Sequence, residues 1–148
     1  MAQKIKPVRF VLTVVGMTLA AQIVHTLGAT VEMGYYKDPQ YFPVWSKLMM
    51  PTAGPPPPSF FLYSLALGFL GWFFFLAVYR VVRAGIPVEE PTAKGMFYGV
   101  MIFLAGSFGQ SLGMGLIVNL PYGLLFLWTL ESLFIYIING ALAGKIGG

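Results

Sequence analysis

The chain has 148 residues, 57% of them hydrophobic and only 9% charged, with a formal net charge of +4. A soluble domain carries about 25% charged residues, so this chain cannot cover a water-facing surface and belongs to the integral membrane class. The absence of cysteine removes disulfides and thiolate metal sites, one histidine and five acids argue against a protein-built metal cage, and basic residues confined to helix ends argue against nucleic acid as a partner.

Lys4, Lys6 and Arg9 precede the apolar run VLTVVGMTLAA, which has the form of a signal peptide with small residues at Ala20 and Ala21. We read it as a retained membrane helix, helix 1, over about 8–30. Thr18, Gln22, His25, Ala29 and Glu32 recur along it at spacings of four, three, four and three, a polar and small stripe on one face. Such a stripe is expected as a helix-packing seam, or as a polar pathway.

A long connection occupies about 34–59. Tyr35, Tyr36, Tyr41, Phe42 and Trp45 are the residue types of a headgroup belt. The stretch from Pro43 to Met50 predicts a short interfacial helix ended by Pro51, and Pro55 to Pro58 predict a polyproline II spacer. Helix 2 spans about 60–83, with Ser64 and Gly68 as a small-xxx-small step that admits a neighbouring helix. Arg80 and Arg83 mark its exit into a polar connection. Helix 3 spans about 95–118 and carries Ala105, Gly109 and Gly113 in a packing stripe. Helix 4 spans about 121–144 and ends near the small pair Gly140 and Gly144.

The predicted fold is all-α: one transmembrane domain over 1–148, a four-helix transmembrane bundle. Seven of the nine Lys and Arg residues fall on the N-tail, the second connection and the C-tail, against Lys37 and Lys47 in the first connection. The positive-inside rule then places both termini in the cytoplasm of a plasma or inner membrane. The halves also resemble each other: LAAQIVHTLG from Leu19 matches LAGSFGQSLG from Leu104, and FLYSL from Phe61 matches FLWTL from Phe126. This pattern suggests two parallel repeats of a helical hairpin.

Glu131 lies near the middle of helix 4, where an ionised carboxylate costs about 2.5–3.5 kcal/mol on insertion scales. Measured from the cytoplasmic ends at 1.5 Å per residue, Gln22, Gln110 and Glu131 all lie about 18–21 Å deep. They form an expected polar layer, with His25 about one turn nearer the outside. That offset speaks against a Glu131–His25 acid–base pair. A lone His25 near an aromatic face is weak support for haem ligation, and no cofactor is assigned.

The expected function is a structural or accessory membrane protein, self-assembling as a homo-oligomer or joined to other membrane subunits. Its basis is the many Gly and Ala faces set against few chemically competent groups. The main alternative is a small transporter or channel using Glu131. Small multidrug-type transporters use an intramembrane glutamate in chains of this general size, but theirs is in the first helix and this chain has a long first loop, so membership is not claimed. A membrane enzyme acting on a lipid-phase substrate is the third reading. No nucleophile motif or phosphate loop supports catalysis.

Overall fold

Prolines set the helix starts. A computed structural model of the protein describes residues 6–52 and 55–147; Lys4 of the basic N-tail lies outside them. Helix α1 (Pro7–Val31), α3 (Pro58–Val82) and α4 (Pro91–Ile102) each open with proline in the first turn, where its missing N–H would have no partner anyway. A short α2 (Met33–Tyr36) continues α1 past a break at Glu32. A π-helical turn over Phe103–Ser107 separates α4 from α5 (Phe108–Ile117), and α6 (Tyr122–Lys145) closes the chain. Among the described residues there is no strand.

Four segments are long and apolar enough to cross a membrane: Pro7–Val31, Pro58–Gly85, Pro91–Ile117 and Tyr122–Lys145. Large hydrophobic side chains such as Leu12, Ile23, Leu67, Leu116 and Phe126 point outward on all four, as a lipid-facing surface requires.

Two expectations shift. Helix 3 begins at Pro91, about one turn before the expected 95. The Glu90 carboxylate accepts the N–H groups of Thr92 and Ala93 and so caps a turn that looked like connection. The short helical turn of the first connection covers Pro39–Val44, displaced from the expected 43–50. Asp38 accepts the Gln40 N–H at 3.1 Å and Pro39 presets the first dihedral, which moves the start upstream. Pro57, with φ −69° and ψ 159°, has the polyproline II geometry expected of that tract, whereas Pro58 is already the first residue of α3.

The helices pack in the order α3–α1–α6–α4, with the α4–α6 contact far the most extensive. Glycine makes it so. A Cβ added at Gly95 would overlap the carbonyl oxygen of Gly140, at Gly99 that of Tyr136, and at Gly144 that of Pro91. The two backbones therefore touch directly, the arrangement that small-xxx-small steps permit. Gly140 and Gly144 belong to this contact: Gly95 meets both, and Gly99 meets Tyr136 and Gly140. The expected stripe of Ala105, Gly109 and Gly113 takes no part. Ala105 is exposed, and a Cβ at Gly109 or Gly113 would meet no atom within 4 Å among the described residues. The π turn inserts an extra residue into the helix, which rotates everything beyond it relative to the α4 face. On the other side of the bundle, Gly68 faces the Thr18 methyl at 3.6 Å, so the Ser64–Gly68 step does carry the α1–α3 approach.

Two cores result. Val14, Met17, Phe75, Leu76, Tyr79, Tyr98 and Ala143 fill the half nearest the chain termini, where the Tyr98 hydroxyl also donates to the Phe75 carbonyl at 3.0 Å. Asn139, fully buried, donates to the Met17 carbonyl at 3.2 Å and pins α6 to α1. Trp45, Leu120, Leu124 and Leu125 form the second core, under the long connection.

Candidate functional site

Between the two cores lies a cavity of about 1060 Å³. Gln22, His25 and Glu32 reach it from α1 and its end, Ser64 from α3, Ser107, Gln110 and Ser111 from the α5 side, and Trp128 and Glu131 from α6. The space exists because α5 makes only sparse contact with α6 beyond the π turn, while α4 holds α6 tightly before it. A volume of this size matches small-molecule sites, which run to roughly 300–1,000 Å³.

Inside it, His25 Nδ1 is in direct contact with a carboxylate oxygen of Glu131. This corrects the depth argument, which kept the two apart. Helix α1 and α6 run antiparallel, as the Met17–Asn139 and His25–Glu131 contacts show. Cα–Cβ bonds tilt toward each helix's own N-terminus. His25 therefore leans back toward the chain termini and Glu131 leans toward the loop, and an offset of one turn closes. Gly28 makes room for the carboxylate, since a Cβ there would overlap the Glu131 side chain. The Glu131 side chain is only 11% exposed, whereas His25 is 54% exposed and also borders a smaller aromatic groove between α3 and α4.

The other members of the expected layer share the cavity without touching Glu131. Gln22 accepts from the Ser64 hydroxyl at 3.2 Å. Gln110 lines the wall from α5 and has no hydrogen bond to Glu131 among the described residues.

A second acid completes the site. Glu32 is 2% exposed, and one of its carboxylate oxygens, Oε2, accepts from the Tyr36 hydroxyl at 2.7 Å and from the Trp128 indole N–H at 3.0 Å. Burial raises its pKa above the ordinary carboxylate value, with the hydrogen bond from Tyr36 opposing and the Glu131 charge adding to the rise. Trp45 packs behind this group, 5.2 Å from the Tyr36 ring and 6.1 Å from Trp128. The stripe on helix 1 includes Glu32, two turns beyond His25. Trp128 escapes a sequence reading, because an indole in an apolar helix looks like membrane-facing bulk. Its spacing of one turn from Glu131 was the available signal.

Among the described residues no group of three or more metal-ligating side chains is present. Comparison with protein-family models, with curated proteins and with solved structures returns no match.

Proposed function

We propose that this protein is a small membrane carrier that binds a lipid-phase molecule in the cavity and exchanges a proton for it at His25–Glu131. The observation that supports the reading is the contact of the two side chains inside a ligand-sized space. With one added proton the pair is neutral overall, either imidazolium beside carboxylate or imidazole beside carboxylic acid. Releasing that proton leaves one net negative charge in a poorly solvated site, a state that a bound ligand must compensate. In the orientation favoured by the basic residues, the cavity opens toward the extracytoplasmic half and the glycine-packed α4–α6 half closes it below.

The test pairs native mass spectrometry after mild detergent extraction with infrared titration of the carboxyl band. Wild-type protein is expected to retain a small molecule that a cavity-filling Ser111→Trp variant loses. Glu131→Gln should remove the titrating carboxyl band and abolish proton release on ligand binding. Loss of neither signal would end the carrier reading.

A second reading, that of an accessory or self-associating subunit, is supported by the open glycine face of α5 at Gly109 and Gly113, which leaves room for another helix. Cross-linking through a cysteine placed at Gly113 distinguishes it: a specific dimer or a second subunit would support assembly as the main task.

A further inference from the structure

The carrier reading leaves the chemistry of the ligand open, and the loop-side wall of the same cavity narrows it. Both hydrogen bonds to Glu32 fall on Oε2. Its other oxygen, Oε1, has no hydrogen-bond partner among the described residues and is not fully sealed from solvent, which leaves it open to the cavity that Glu32 lines. The Tyr36 hydroxyl and the Trp128 indole N–H both point at that carboxylate, and both residues also line the cavity.

The ionisable groups facing the space are Glu32, Glu131, His25 and Lys37, with Tyr36 as a neutral neighbour. With His25 neutral, two carboxylates against one ammonium leave a net charge of −1; with His25 protonated the sum is zero. His25 already answers Glu131, and Lys37 is an exposed side chain at the mouth. The charge without a direct cationic partner among the described residues is Glu32.

We infer that the cavity takes a lipophilic organic cation, its ammonium group seated on Glu32 beside Tyr36 and Trp128 and its apolar body lying against Met49, Met50 and Phe60. A buried charge is costly unless it is paired, so an ionised Glu32 gains from a cation brought beside it. Unbranched methionine side chains adapt to apolar bodies of varied shape. This inference rests on the carrier reading, because cation entry is what balances the proton leaving His25–Glu131.

The experiment measures binding in maltoside micelles, which contain no ammonium headgroup, by quenching of tryptophan fluorescence. Three probes share one naphthyl-hexyl tail and end in trimethylammonium, in its uncharged tert-butyl isostere, or in sulfonate. The ammonium probe is expected to bind at least tenfold more tightly than the tert-butyl probe, and the sulfonate probe most weakly. Glu32→Gln keeps an acceptor for Tyr36 and Trp128 and should bring the first two affinities together. Should that variant not assemble, the wild-type protein supplies the same readout. The ammonium probe cannot titrate, so its advantage must fall as acidification protonates Glu32.

Equal binding of the ammonium and tert-butyl probes, or preference for sulfonate, would overturn the cation inference while leaving a cavity that binds ligands. An ammonium preference that persists in Glu32→Gln would overturn the assignment of the seat. Absence of binding by all three, together with no retained molecule in the mass spectrum, would overturn the carrier reading itself.

Discussion

The two ends of the third membrane segment behave in opposite ways against the same partner helix. Before the π turn, α4 lies backbone to backbone on α6 through Gly95, Gly99, Gly140 and Gly144. After it, α5 leaves α6 and a cavity opens between them, although α5 is the part richer in glycine. Glycine content alone therefore does not make a contact. What matters is whether the glycines of one helix meet carbonyls of the other at matching height, and a single inserted residue in the π turn breaks that match. The close half acts as a rigid support. The open half holds His25, Glu32 and Glu131.

The contrast can be broken most sharply by adding carbon to each half. Gly95→Leu forces a side chain into the backbone of α6, and overpacking of this kind costs about 3 kcal/mol or more. Gly113→Ala adds a methyl group into open space and should stabilise the helix by up to about 1 kcal/mol through propensity. Thermal unfolding in one detergent would compare the two. Similar losses from both variants would show that α5 also packs closely.

A smaller effect is expected where a glycine faces a flexible side chain. Gly28→Ala displaces the Glu131 carboxylate, whose end can move, so stability should fall by under about 1 kcal/mol. The proton exchange that depends on contact with His25 should weaken by about tenfold, equivalent to about 1.4 kcal/mol. Infrared titration would reveal an unchanged carboxyl band if the contact were incidental.

The smallest effect concerns the start of the supporting helix. The N–H groups of Ala93 and Thr92 hold the pKa of Glu90 below its ordinary value. Its contribution to the first turn of α4 is therefore present above the ordinary carboxylate pKa and lost as pH falls through the depressed one. Amide hydrogen exchange at Thr92 and Ala93 should accelerate in that acidic window, and Glu90→Ala should remove the pH dependence. The cavity groups should show no matching change, since the clasp beyond the first turn holds α4 in place.

How much of the site could be read from the chain depends on which interactions are local. The helix 1 stripe from Thr18 to Glu32 has a repeat that a 3.6-residue period turns into one face, and Gln22, His25 and Glu32 do share the cavity. Gly140 and Gly144 were legible as a packing pair for the same reason. Their partners were not, because Gly95 lay inside what looked like a helix start and the π turn has no distinct residue signature. The His25–Glu131 contact was hidden by an axial count that ignored the direction of side chains.

The sequence by itself determined that the chain carries four helices long and apolar enough to span a membrane. Runs of about 20 apolar residues and a low charge content are sufficient physical causes for that. It also determined which helix faces are polar. Only the tertiary structure decided that α4, rather than α5, grips α6, and that His25 meets Glu131 while Gln22 turns to Ser64. Those choices depend on backbone register and on the lean of side chains between antiparallel helices, and neither is a property of any one segment.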